Sequence, residues 1–193
     1  MPVHVTIKSK GIYFITFTCH NWLPLIEKAG GYNAVYNFFE VLKTKGHTIT
    51  AYVIMPNHIH LLLHYSGEGS SLNAVIGNGK RFLAYEIIKK LKENEEKQLL
   101  KALEQSVQPK DREKGQLHAV WKDSFEVKQC RTKKFLLQKL HYLHNNPVNG
   151  KWKLASSSVE YLHSSARFYY CGQQQLYVVT DYEKLLDWEG MYQ

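Results

Sequence analysis

The fourteen residues Ala51-Tyr-Val-Ile-Met-Pro-Asn-His-Ile-His-Leu-Leu-Leu-His64 constrain the fold of this chain more than any other stretch. They read as two short apolar strands joined at Met55-Pro56-Asn57, with His58 and His60 opening the second strand. Side chains alternate faces along a strand, so His58 and His60 point one way while Ile59 and Leu61 point the other. Their Cα atoms then sit roughly 6.5 Å apart, close enough for two imidazoles to share one metal ion. A surface pair or a satisfied buried pair has the same spacing, so a metal site needs a third ligand and a chemical purpose. A structural zinc site would recruit cysteines at short spacing, and the sequence has no such cluster.

At 193 residues, 44% of them apolar, the chain has the length of one domain with a sizeable core. The formal charge of +8 and the pI of about 9.2 favour a polyanionic partner, nucleic acid first. Thirteen tyrosines and four tryptophans among the basic residues suit single strands, whose bases stack on aromatic faces while phosphates meet Lys and Arg. Cys19, Cys130 and Cys171 are far apart and odd in number, which indicates reduced thiols rather than a disulfide framework. The N-terminus shows no apolar signal core and no run approaches bilayer length, so the expected location is cytoplasmic, away from membranes.

Ile12–Thr18 is rich in β-branched and aromatic residues and reads as a central strand. Helical spacing of Val35, Phe38, Phe39 and Leu42 predicts a helix over 32–45, stopped by Gly46. Strands at 48–55 and 58–64 form a hairpin, and a second helix covers about 72–92, with Gly77 and Gly79 weakening its first half. The charged segment 93–118 reads as a helical extension followed by a mobile insert, and 120–127 as a fourth strand. Phe135, Leu136, Leu140 and Leu143 mark the buried side of a helix over 132–145, closed by Pro147. Residues 148–193 form a mixed tail with a short last helix from Asp181. The order strand–helix–strand–strand–helix–strand predicts an α+β, ferredoxin-like (split βαβ) antiparallel sheet with helices on one face. The helix at 132–145 is then an extra C-terminal element laid against the histidines. The expected organisation is one domain over 1–150, carrying the insert, and a tail over 151–193 packed on it.

That helix holds Leu140-His-Tyr-Leu-His-Asn-Asn-Pro-Val148, in which Tyr142 and Asn146 stand four apart on one helical face. Asn146 precedes a proline at the end of the helix, where its side chain can reach outward. An amide oxygen is a hard, neutral ligand suited to Mg2+ or Mn2+.

Met55-Pro-Asn-His-Ile-His60 together with Tyr142-Leu-His-Asn-Asn-Pro-Val148 resembles the HUH single-tyrosine transposases, most closely the REP-associated tyrosine transposases. Supporting matches are Tyr13–Thr18, Gly77-Asn-Gly-Lys-Arg-Phe82, Tyr85-Glu86, Trp121 to Phe125 and Ser164-Ser-Ala-Arg167, so the likeness runs from about residue 12 to 170. The resemblance implies His58, His60 and Asn146 as ligands of a divalent metal, Mg2+ or Mn2+, and Tyr142 as the nucleophile. It implies cleavage of single-stranded DNA near a hairpin through a 5′-phosphotyrosine link, and rejoining by attack of a 3′-hydroxyl. No small-molecule cofactor is implied, and a homodimer is compatible with it.

A phenol with an ordinary pKa of about 10 is a poor nucleophile without help, and a divalent ion can both assist it and polarise the phosphate. The sequence singles out no general base: His141 and His144 flank Tyr142 but face elsewhere on the helix. Asn145 reads as a helix-end hydrogen-bonding residue. Lys80 and Arg81 belong to the matching pattern and are the leading phosphate contacts, with Arg131, Lys133 and Lys134 as a second cluster beside the helix; a solvated charged face is the plain alternative for both. Arg167 reads as a tie between tail and domain. Two other functions share these features: a replication-initiation or relaxase nickase, in which His64 would be a third histidine, and a non-catalytic hairpin DNA or RNA binder.

Overall fold

The computed structural model describes residues 6–122, 125–150 and 152–185. In chain order the elements are β1 (Gly11–Thr18), a 3-10 turn at His20–Trp22, α1 (Leu25–Lys28), α2 (Tyr32–Thr44), β2 (Thr48–Met55), β3 (His58–Tyr65), α3 (Leu72–Glu93), α4 (Lys97–Gln105), α5 (Pro109–Arg112), β4 (Glu126–Gln129), α6 (Lys133–Asn145), α7 (Ala166–Cys171) and a 3-10 turn at Tyr182–Lys184.

The strands form one antiparallel sheet in the order β2-β3-β1-β4. That order places the hairpin strand β3 between β2 and β1, the split βαβ arrangement expected from the sequence. Both central strands are buried on both faces because both faces are covered. On one face Ile15, Phe17, Tyr52, Ile54, Ile59, Leu61 and Leu63 pack with Val35, Phe38, Phe39 and Leu42 of α2 and Ile76, Leu83 and Ile87 of α3. On the other, Ile12, Phe14, Ala51, Val53, Met55 and Leu62 meet Leu136, Leu140 and Leu143 of α6. Fully burying each such leucine stabilises the docked helix by roughly 1.5–3 kcal/mol. The histidines share the face that α6 covers. Thr132 caps this helix, its side-chain oxygen accepting from the Phe135 N–H.

Three expectations are corrected. The fourth strand is Glu126–Gln129, later than 120–127: Trp121 makes only an isolated bridge to Cys19, and 123–124 lie outside the described residues. In 93–118 the expected helical extension is present as a separate helix, α4, whose Leu99, Leu100 and Leu103 pack on the α2/α3 core, while the part read as a mobile insert carries the short helix α5. The tail carries α7, which the sequence reading missed, and from Asp181 only a 3-10 turn is described; 186–193 lie outside the described residues.

The tail also covers the outer edge of β2. Ile54 N–H donates to His163 O, Ser165 N–H to Tyr52 O, and Tyr52 N–H to Ser165 Oγ. An otherwise open strand edge is satisfied this way. Among the described residues no helix is long and apolar enough to cross a membrane.

Candidate active site

β-Register builds the floor of the site. His58 and His60 stand opposite Thr18 and Thr16 on β1 and opposite Met55 and Val53 on β2, so all these side chains share a face. The two imidazole centroids are 4.7 Å apart. Both rings are buried, and burial holds both in the neutral form: His58 is lowered to about 4 and His60 well below its ordinary value. His58 opposes protonation of His60 further, as does the Lys139 ammonium.

The hydrogen bonds fix which nitrogen carries the proton. Asn57 Nδ2 donates to Trp22 O at 3.0 Å, so its Oδ1 is left to accept from His58 Nδ1–H at 2.6 Å. His58 Nε2 therefore keeps its lone pair, and it faces Asn146 Oδ1 at 3.1 Å. Asn146 Nδ2 can only donate, so His60 Nε2, 3.3 Å from it, is the acceptor; His60 Nδ1 then carries the proton and Thr16 Oγ1, 2.8 Å away, accepts it. Two lone-pair atoms facing each other across 3.1 Å are a natural place for a cation. Two imidazole nitrogens and an amide oxygen suit a divalent ion with positions left open. Among the described residues no group of three His, Cys, Asp or Glu could hold a metal, and the polar group facing both Nε2 atoms is the Asn146 amide.

Asn146 sits at the C-terminal cap of α6, and Tyr142 lies one turn earlier on the same face. The Tyr142 ring is 5.1 Å from the His60 ring and 6.0 Å from Phe14, edge-on to both, and 51% of its surface is exposed. It lines a cleft of about 680 Å³ together with Thr16, Trp22, His58, His60 and Asn146. The sheet and α6 thus bring together Tyr142, His58, His60 and Asn146, residues separated by more than eighty positions in the chain.

The basic residues divide. Lys80 and Arg81 line a different groove, against α3; Lys80 donates to Lys122 O and Arg81 to Asn78 Oδ1. Lys133 is paired with Glu183 of the tail at 2.7 Å, Arg131 donates to Gln129 Oε1, and Lys134 is exposed; none of the three lines the cleft. His144 is buried against Ser165 Oγ, while His141 lines the cleft and lies 3.1 Å from the Tyr170 hydroxyl. Asn145 accepts from Ser158 Oγ. His64 stands at the far end of β3 opposite Ile12, outside the cleft.

Four residues at the site were not singled out in the sequence. Lys139 places its ammonium 4.8 Å from the Phe14 ring and 5.6 Å from the Tyr142 ring; its position three residues before Tyr142 on one helix face was a usable signal. Thr16 and Asn57 orient the imidazoles, and Trp22 packs edge-on against His58 at 5.7 Å. Their roles follow from strand register and loop path, which no local pattern encodes.

The fold is that of a single-tyrosine transposase. A REP-associated tyrosine transposase solved with a REP hairpin is similar at a TM-score of 0.59 and 15% identity, covering 94% of this chain and 93% of that one. A protein from Deinococcus radiodurans R1, taken to be a transposase, is similar at a TM-score of 0.39 and 18% identity over 71% of this chain and 91% of that one, too remote to add to the comparison. No curated protein matches the chain. The model of the IS200-like transposases matches residues 9–146, and the chain belongs to that family.

Proposed function

We propose that the chain cleaves and rejoins single-stranded DNA at a hairpin or palindrome, with Tyr142 as nucleophile and a divalent cation, Mg2+ or Mn2+, as cofactor. The observation that carries this reading is the placement of a solvent-open phenol beside two neutral imidazoles whose Nε2 atoms converge on one amide. The family supplies transposition, and the structural relative was solved on a REP hairpin.

The Tyr142 oxygen attacks the scissile phosphorus, forming a tyrosine O–P bond while the P–O3′ bond breaks. The phenolic proton is lost and the departing O3′ gains one, giving a free 3′-hydroxyl and a 5′-phosphotyrosine. Attack by a 3′-hydroxyl on that phosphodiester reverses the exchange and joins a strand, with the phenol regenerated. One phosphodiester replaces another throughout, so no nucleotide hydrolysis is needed. A cation held by His58 Nε2, His60 Nε2 and Asn146 Oδ1 would polarise the phosphate and stabilise charge on the leaving oxygen.

The protein's own groups do the rest. Asn57 and Thr16 hold the imidazoles in the tautomer that offers Nε2. The Lys139 ammonium lies close enough to stabilise developing phenolate charge on Tyr142. The half-exposed Trp22, with Lys122 4.4 Å from its ring, gives an unpaired base a face on which to stack. His64 lies outside the cleft, which disfavours the relaxase-type reading.

The test is incubation with end-labelled single-stranded hairpin DNA and Mg2+ or Mn2+. The expected result is a covalent protein–DNA species that chelator and Tyr142→Phe abolish. A mobility shift with no covalent species under any metal would leave a binding protein only, and equal cleavage of duplex DNA would contradict the single-strand reading.

A further inference from the structure

A second groove, of about 1110 Å³, lies between α3 and the segment 110–122. Its rim is basic: Lys80, Arg81, Lys89 and Lys92 from α3 face Lys110 and Lys114 from the other wall. The acidic residues lining it, Glu93 and Asp111, already lie within ion-pair distance of Lys90 and Lys114, at 3.6 and 3.9 Å. Ala84, Ile88, Val120 and Trp121 give it an apolar floor, Gln116 and His118 are its other polar residues, and Tyr85 stands in it 68% exposed. A basic rim around an apolar floor with an open aromatic ring matches an unpaired strand, whose bases stack while its phosphates stay outside. A duplex hides its bases and gains nothing from such a floor.

The groove adjoins the candidate active site at Lys122. Lys122 lines both, Lys80 Nζ donates to Lys122 O, and Lys122 N–H donates to Thr18 O on the cleft floor. The far wall is held in place: Trp121 Nε1 donates to Lys80 O, Ala119 N–H to Leu103 O, and Arg112 to Glu104 O.

We propose that this groove is a second DNA site, which takes the single-stranded flank leaving the catalytic cleft past Lys122. The inference rests on the DNA-cleaving reading above. Lys122 is the residue the two linings have in common, so the groove serves the flank that leaves the cleft on that side of the hairpin only. Its occupant is DNA rather than an acidic peptide, because the exposed Tyr85 ring adds a stacking face to the charge.

The test measures affinities of the Tyr142→Phe protein for a labelled hairpin with no flank and with a flank of about eight nucleotides on the 5′ or the 3′ side. One flank, and one only, is expected to tighten binding by about fivefold or more and to steepen the salt dependence by about 0.7 in log–log slope for each phosphate held. Combining Tyr85→Ala, Lys89→Glu and Lys92→Glu should bring the ratio of flanked to unflanked affinity near one, and Lys89→Gln with Lys92→Gln should lower it part-way. An unchanged melting curve establishes that these surface variants fold. Equal effects of both flanks, no effect of either, an unaltered ratio in the variants, or equal displacement by polyglutamate of matched charge would each overturn the proposal. Adduct formation by the unmutated protein on the unflanked hairpin separates the two readings. An adduct without flank dependence removes the groove alone; flank dependence without an adduct removes the catalytic reading alone.

Discussion

Thr16 and His60 stand directly opposite each other on neighbouring strands, and Thr16 Oγ1 receives the His60 Nδ1 proton at 2.8 Å. Together with the Asn146 amide N–H facing Nε2, that bond holds the ring in the tautomer whose cleft-side nitrogen keeps its lone pair. Replacing Thr16 with Val keeps the shape and removes the acceptor. Mn2+ affinity, measured by calorimetry, should fall about 10- to 100-fold while the fold persists. Unchanged affinity would mean that packing against Phe14, 5.3 Å away, orients the ring by itself.

Lys139 offers a second, independent handle on the nucleophile. Lys139→Met keeps an aliphatic stem over Phe14 and removes the charge near Tyr142. The rate of adduct formation at neutral pH should drop by about tenfold with hairpin affinity nearly constant, and Lys139→Arg should restore most of it. A loss confined to affinity would assign the lysine to phosphate binding instead.

Two glycines in α3 should behave oppositely. A Cβ at Gly79 would collide with the Phe38 ring of α2, whereas nothing lies within 4 Å of one at Gly77. Gly79→Ala should therefore destabilise by about 1–3 kcal/mol through overpacking. Gly77→Ala should stabilise by roughly 0.5–1 kcal/mol through helix propensity. Denaturant titration of both variants checks the sign of each.

Stability should fall on mild acidification. Burial lowers His144 to about 3 and His58 to about 4, and it also lowers His47, His64 and His163. The unfolded chain takes up protons below about pH 6.5 that the folded chain refuses, so unfolding becomes easier as pH drops from there toward about 4. The melting temperature in chelator should be level between about pH 7 and 8 and decline steadily through that acid window. A melting temperature that rises on acidification would contradict neutral buried histidines.

The sheet, α2, α3 and α6 were legible in the sequence because period-2 and period-3.6 apolar patterns record which faces are buried. The hairpin at 48–64 and the helix at 132–145 stand almost where those patterns put them. Tyr142 and Asn146 were legible as helical neighbours, and His58 with His60 as strand neighbours, yet nothing in either stretch says that they meet. Their meeting depends on α6 docking through Leu136, Leu140 and Leu143 onto the histidine face, a tertiary event. Gly77 and Gly79 look alike in sequence, and only the crossing of α2 over α3 separates them. The charged stretch 93–118 was legible as a helical extension, but its second part read as a mobile insert because three leucines suffice to dock α4 and most of the remaining residues are solvated.

The most direct measurement is peptide mapping of the covalent species by mass spectrometry after reaction with single-stranded hairpin DNA and Mn2+. An oligonucleotide joined through its 5′-phosphate to Tyr142, and no attachment elsewhere in the chain, is the predicted result. Attachment to a different tyrosine, or cut strands with free 5′-phosphates and an unmodified Tyr142, would contradict the role given to that residue.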